Sequence, residues 1–327
     1  MVAYILRSTA QAILVLLAVG LIAFSMFRFV GDPIANMVGQ EASQADRREL
    51  AERLGLNDPV LVQFGRFARD VAQGEFGVSY RHGRKVSDLL MERLPATVEL
   101  AVLSALLAVV VGTILGVYTA IRRDRWLSHL IMTTSLVGVS LPTFLIGIGL
   151  IYLFAVELRW LPSFGRGQTV KIGWWTTGLL TESGRKSLIM PVVTLAFYQL
   201  TLIMRLVRAQ MLETLRTDYI KFARARGLPE RRIHFKHALR NTLIPVVTIA
   251  GLQLGSVIAF AIVTESVFQW PGLGALFVQA VQFVDIPVMA TYLLFVAVVF
   301  VVVNFIVDLL YFVLDPRLRT GRALATG

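Results

Sequence analysis

The side chains with chemical potential in this sequence are few and scattered. His234 and His237 stand three residues apart, which puts both imidazoles on one side of a helix, within reach of a shared metal. A structural zinc site takes four protein ligands and a catalytic one three, so this arginine-rich pair makes a poor site. No H-E-x-x-H run occurs. "SGRKS" at 183–187 approaches a phosphate-binding loop but lacks the glycine spacing that lets backbone N–H groups cradle phosphate. With no cysteine, thiol nucleophiles and cysteine metal sites are excluded. No catalytic residue and no metal site is expected. Two other groups stand out. Gln199, Gln253, Glu265, Asn304 and Asp308 are polar residues inside apolar runs, where burial is costly and usually purposeful. Residues 217–247 read "TDYIKFARARGLPERRIHFKHALRNTLIPVV", a basic stretch flanked by apolar ones.

The elements that hold these residues are apolar helices. The chain has 327 residues, 56% hydrophobic and 16% charged, against about a quarter charged in soluble domains. Six runs are long enough to cross roughly 30 Å of hydrocarbon at about 1.5 Å per residue. They lie near 10–30, 98–121, 130–155, 188–207, 243–268 and 287–313. The expected class is an all-α integral membrane protein. A β-barrel would show alternating segments of about ten residues. The first run lacks a cleavage pattern and is read as a retained span. "IGWWTTGLL" at 172–180 is too short to span and suits an interfacial position. Pro142 and Pro191 read as kinks or helix starts, and "RLPATVEL" as the start of the second span, signalled by Pro95 and Thr97.

Lysine and arginine set the orientation. Arg122, Arg123 and Arg125 lie in one short loop, ten basic residues lie between 205 and 241, and Arg317, Arg319 and Arg322 lie near the end. Six spans put all three on one side, which the positive-inside rule makes cytoplasmic together with both termini. Residues 31–97 then face outward as a small, mainly helical extracytoplasmic insert. The other divisions are a first helix in 1–30, a five-helix core in 98–313 and a cytoplasmic tail in 314–327. The core contains a cytoplasmic loop, 208–241.

Within that loop the order of residues is informative. Thr217 or Asp218 can cap a short helix that Gly227 ends in the left-handed conformation. Pro229 and Glu230 suit the first turn of a second helix. The expected product is a helix–turn–helix elbow on the membrane surface. Tyr219, Phe222 and Ala223 share a side, Arg226 extends the row, and Ala223 and Ala225 permit close approach by another backbone. Aromatic residues for base stacking are few, so a nucleic-acid role is not favoured.

"YIKFARARGLPERRIHFKHALRNTLIPVV" resembles the cytoplasmic signature of binding-protein-dependent ABC importer permeases, in the wording of the dipeptide/oligopeptide/nickel branch. Ala223 and Gly227 match the general pattern. Phe222 replaces a second small residue, Lys221 an acid, and Arg240 a common proline, with Pro245 five residues later. The peptide branch shows this variant. The resemblance continues through "GEFGVSYRHGRKVSDLLMERLPATVEL" (74–100), "SLPTFLIGIGLIYLF" (140–154), "RWLPSFG" (159–165) and "TESVFQWPGLG" (264–274).

The resemblance implies a type I ABC importer transmembrane domain in a bacterial or archaeal plasma membrane. This chain would be the B-type permease subunit. Its implied partners are a second homologous permease in a heterodimer, two ATPase subunits or domains, an extracytoplasmic solute-binding protein and membrane lipid. The implied cargo is di- or oligopeptides, with nickel complexes, glutathione or opines as alternatives in the same family. ATP and magnesium would be bound by the partner ATPases, with no cofactor in this chain. The implied ATPase-coupling residues are Tyr219, Phe222, Ala223, Arg224, Ala225, Arg226, Gly227, Leu228 and Arg231. Gln199, Gln253, Glu265 and Asn304 are expected along the substrate path. The rival from another class is an ion-coupled secondary transporter, which would use intramembrane acids and need no such elbow.

Overall fold

The computed structural model describes the backbone of residues 2–29 and 58–314. The first half of the expected insert and the tail beyond 314 lie outside the described residues, as does the side chain of Asp308. Described elements are helices except for one small hairpin. They are α1 (Val2–Phe29), α2 (Val60–Ala72), α3 (Val86–Ile121), α4 (Trp126–Ser140), α5 (Thr143–Leu150), β1 (Val170–Ile172) and β2 (Trp175–Thr177). Then follow α6 (Glu182–Thr214), α7 (Asp218–Ala225), α8 (Leu239–Val267), α9 (Leu273–Gln282) and α10 (Ile286–Leu314).

Among the described residues four stretches are long and apolar enough to cross a membrane: Thr9–Phe27, Val86–Ile121, Glu182–Thr214 and Ile286–Val307. A fifth would be the pair Trp126–Ser140 and Thr143–Glu157, bent by 112°. The third expected span is therefore not one straight helix. It breaks at "SLPT", where Pro142 sits at the N-cap of α5 in extended backbone (φ −57°, ψ 139°), a residue that suits the entry to a helix better than its interior. α5 continues into seven residues of wide, π-helical winding, Ile151–Glu157. The fifth expected run is occupied by the 29 residues of α8.

One expectation at the outer segments is corrected. The helix that carries the second span does not start at Pro95: α3 begins at Val86, runs through that proline and is 36 residues long. "GVSYRHGRKV" closes on itself before α3, with Val78 and Lys85 bridged antiparallel. The helix thus starts from a fixed loop rather than from the proline. The tryptophan pair lies on a β-hairpin, with Ile172 opposite Trp175.

The chain divides into two compact units. One comprises Met1–Pro95 and Pro271–Val301. In it Ala23 of α1 is buried with Ala290 and Leu294 of α10. The rings of Phe24 and Phe27 meet those of Phe64 and Phe67 on α2 at 5.6–5.8 Å. In the same unit Asp285 accepts hydrogen bonds from Ser79 Oγ and from the backbone N–H groups of Tyr80 and Arg81. This carboxylate and the burial of the phenol raise the Tyr80 hydroxyl above its ordinary value, burial being the larger cause.

The other unit comprises Ala96–Trp270 and Val302–Gly327, and α6 is its centre. Gly112 and Gly116 of α3 lie against α6 so closely that a methyl group at Gly116 would stand 2.7 Å from the Met204 carbonyl oxygen. A methyl at Gly112 would stand 3.0 Å from that of Leu200. Two glycines four apart on one helix side let backbones approach in lipid, where packing rather than hydrophobic exclusion drives association. At Gly251 of α8 the Val307 side chain fills the space a Cβ would take.

Candidate coupling site

The basic loop folds into an elbow. Its first arm is α7. Thr217 sits at the N-cap, but its hydroxyl donates back to the Thr214 carbonyl at 2.6 Å and so does not cap. Asp218 instead pairs with Lys221 one turn on, at 2.9 Å. The arm ends in a closed turn: Gly227 N–H donates to Arg224 O (2.9 Å) and Leu228 N–H to Ala223 O (3.3 Å). Gly227 has φ +74°. This is the Schellman arrangement, which needs a left-handed residue at that one place. Pro229 (φ −65°) then leads through the turn Glu230–Arg232 and the π-helical Ile233–Ala238 into α8. The second arm is thus continuous with a long apolar helix.

The elbow has a distinct inner side. Ile220, Ala223, Ile233 and Ala238 are buried with Val117 and Ala120 of α3 and Val207 and Met211 of α6. This corrects the expected grouping of Tyr219, Phe222 and Ala223. Ala223 faces inward and Leu228 packs partly against the same cluster, whereas Tyr219 is 43% and Phe222 64% exposed. Position 223 is small because its own chain surrounds it. Arg224, Ala225, Arg226, Gly227 and Arg231 are exposed with the two aromatics. Arg226 lies 5.8 Å over the Phe222 ring, and the Tyr219 hydroxyl accepts from Asn241 Nδ2 at 2.8 Å. Arg224 clasps Glu230 across the bend with two bonds of 2.8 and 3.3 Å, which hold the Glu230 carboxyl below its ordinary value. Lys221 does the same for Asp218. His234 also lies 3.1 Å from Glu230. Among the described residues no cluster of potential ligands could hold a metal ion.

The intramembrane polar residues are distributed over three helices. Gln199 is buried on α6, Gln253 is half-buried on α8, and Asn304 is half-buried on α10. Glu265, near the end of α8, is fully buried and accepts from Thr97 Oγ1 at 2.6 Å. Twelve residues of helix, roughly 18 Å, separate it from Gln253.

The residues that pattern reading missed lie at the other end of α3. Glu99 accepts from Arg166 Nη2 at 2.5 Å, from Thr177 Oγ1 at 2.7 Å and from Gly178 N–H at 3.1 Å. Arg166 also donates to the Thr176 hydroxyl (2.9 Å) and carbonyl (2.7 Å). Both ionic side chains are buried, at 8% and 3% exposure. Beside them Trp270 Nε1 donates to the Ala96 carbonyl at 3.0 Å, and Gly165 N–H to that of Phe268 at 2.9 Å. Glu99 follows "LPATV" and Arg166 follows "PSFG"; nothing local marks either as half of a pair.

Comparison with known proteins decides what the elbow belongs to. Residues 112–320 match the family "Binding-protein-dependent transport system inner membrane component", and residues 1–101 match its N-terminal companion. The chain belongs to this family. The permease is 37% identical over 332 residues to the dipeptide transport system permease protein DppB of Alkalihalophilus pseudofirmus, covering 98% of this chain and 100% of that one. It is 39% identical over 321 residues to the oligopeptide transport system permease protein AppB of Bacillus subtilis, with 98% and 100% covered. It is 38% identical over 336 residues to the di/tripeptide transport system permease protein DppB of Pseudomonas aeruginosa, again with 98% and 100% covered. In fold it is similar to a chain of an inward-facing MetNI methionine ABC transporter, with a TM-score of 0.56 at 20% identity, covering 69% of this permease and 96% of that chain. It is therefore a multi-pass membrane component of an ABC importer, a transport subunit that works with ATPase and solute-binding partners.

Proposed function

We propose that this permease forms half of a heterodimeric pore that imports di- or oligopeptides, driven by two ATPase subunits or domains that bind ATP and magnesium. The observation that carries the cargo class is the 37–39% identity, end to end, to permeases named for dipeptide, di/tripeptide and oligopeptide transport. The ion-coupled alternative loses ground for a physical reason. Glu265 and Glu99, buried acids on the long apolar helices of the kind such a carrier would use, are both enclosed and hydrogen-bonded.

Residues 208–241 serve as the coupling loop. The elbow is suited to transmit force because its inner side is locked to α3 and α6 while its second arm runs unbroken into α8. Displacement of α7 therefore moves the long helices rather than a tether. The ATPase contact face is Tyr219, Phe222, Arg224, Ala225, Arg226 and Arg231. Ala223, Gly227 and Leu228 shape that face from beneath. Gln199, Gln253 and Asn304 are placed along the substrate path, with Glu265 anchoring the end of α8. Six spans, with both termini cytoplasmic and residues 31–97 outside, satisfy the charge distribution.

Phe222→Glu tests the coupling role. The residue is exposed, so the change leaves folding and membrane insertion intact. Uptake of a radiolabelled dipeptide by reconstituted importer is expected to fall to background while the solute-binding protein still binds the peptide. Normal uptake by the variant would remove the coupling assignment. Peptide binding by that solute-binding protein tests the cargo separately.

A further inference from the structure

A recess lies beside the elbow, at the edge of the face assigned to the ATPase, with which it shares Arg231. Its volume is about 560 Å³ and it opens to the surface between α3 and the second arm. Ile114, Val117 and Phe235 make its apolar wall, and Arg122, Arg231 and His234 make its polar rim. The wall continues an exposed stripe on α3: Val102, Leu106, Val110 and Ile114 recur every fourth residue at 47–61% exposure. The stripe ends where the arginines begin. Among the described residues neither Arg122 nor Arg231 forms an ion pair, since Arg224 and His234 take up Glu230 and Arg123 takes up Asp124. Two guanidinium groups with no carboxylate partner among the described residues thus sit at the mouth of an apolar channel, at the end of a helix long enough to cross the membrane; that of Arg122 lies 5.7 Å over the Tyr118 ring.

We infer that this recess binds a diacyl phospholipid with an anionic headgroup, one acyl chain along the α3 stripe and the phosphate between Arg122 and Arg231. Basic pockets at the cytoplasmic end of membrane helices suit such headgroups, because charge attracts the phosphate while hydrocarbon holds the chain. A helix of another subunit fits the recess less well. Close helix contacts in lipid use small residues, and α3 has its small residues, Gly112 and Gly116, against α6. The outward stripe is bulky and aliphatic. The lipid would bridge α3 and the second arm, so it would brace the seat of the elbow against the spans. The assignment rests on the orientation proposed above, which puts this end of α3 at the cytoplasmic leaflet.

The test uses the assembled importer in nanodiscs of phosphatidylcholine, alone or with a quarter phosphatidylglycerol, followed by delipidation and native mass spectrometry. Wild type is expected to retain one phosphatidylglycerol at this site, and millimolar inorganic phosphate should not displace it. Arg122→Gln should lower the preference for phosphatidylglycerol over phosphatidylcholine roughly fivefold, the loss expected of one basic residue at an anionic surface. Ile114→Trp, which fills the channel with another apolar side chain, should abolish retention of both lipids. Wild-type retention in both variants would overturn the site, as would displacement by inorganic phosphate, which would mark a bare anion site. Full cross-linking of Ile114→Cys to the partner permease would also overturn it, by showing a protein helix in the recess. None of these readouts depends on peptide uptake, so a failed transport assay with intact lipid selectivity would remove the functional reading alone.

Discussion

The elbow and the Glu99–Arg166 clasp lie at opposite ends of α3, separated by roughly 20 residues and 30 Å of helix, and they use charge in opposite ways. At the elbow ion pairs are exposed, local and replaceable: Lys221 with Asp218 three residues away, Arg224 with Glu230 six away. At the clasp a single pair spans 67 residues of sequence and is almost wholly buried, with its carboxylate further bonded by Thr177 and Gly178. Exposed pairs contribute about 0–1 kcal/mol, whereas removing one member of a buried pair costs about 3–5 kcal/mol because the other charge is left uncompensated. The elbow, the proposed seat of the ATPase, is held by apolar packing and left charged outside. The opposite end is fastened to its own loop.

Breaking the clasp gives the largest expected effect. Glu99→Gln or Arg166→Met should each lower stability by about 3–5 kcal/mol, read by thermal unfolding in detergent, and should expose residues 166–180 to protease. The double replacement Glu99→Leu with Arg166→Met should be milder than either single one, because no charge remains buried alone. Losses under about 1 kcal/mol in the single variants would mean that the hairpin, not the ion pair, holds the loop, and the contrast between the two ends would disappear.

The same contrast governs what the sequence disclosed. The elbow was legible because its signals are local: Gly227 after a short amphipathic run, Pro229 two residues on, and a basic composition that lipid will not accept. The long helices were legible from apolar length. What stayed hidden depends on closure through space. The inward turn of Ala223 is set by Val117, Val207 and Met211, which belong to other helices. Glu99 and Arg166 meet across 67 residues of sequence beside the hairpin, and the start of α3 at Val86 follows the loop closed by the Val78–Lys85 bridge. Pro95 misled because a proline is both a helix starter and a tolerated interior residue in membrane helices.

A middle-sized effect is expected at the bend. Gly227→Ala meets no steric clash, since nothing lies within 4 Å of the added methyl group. The cost is conformational, about 1–2 kcal/mol for holding a left-handed backbone. The change should raise amide exchange across 218–232 and lower peptide transported per ATP hydrolysed, with the clasp end unaffected. Gly227→Asn should fall between wild type and Ala, because asparagine tolerates that conformation better. Equal exchange in Ala and wild type would show that the Schellman turn is not what fixes the elbow.

The smallest effect should come from Glu230, and its sign follows from linkage. Arg224 holds the carboxyl below its ordinary value of 4.5 in the folded state. The pair's stabilisation is therefore fully present above about pH 4.5 and is lost only as pH falls through the lower, folded value. Glu230→Gln should cost no more than about 1 kcal/mol, and most of that should vanish at high salt because the pair is exposed. Around neutral pH the wild-type elbow should show no titration from this group. Exchange rates over 218–232, measured at pH 7 and at pH 4 with and without salt, separate the cases. A loss of several kcal/mol that resists salt would make the elbow's ion pair equivalent to the buried one at the other end of α3. The elbow would then be held by charge as well as by Ile220, Ala223 and Ile233.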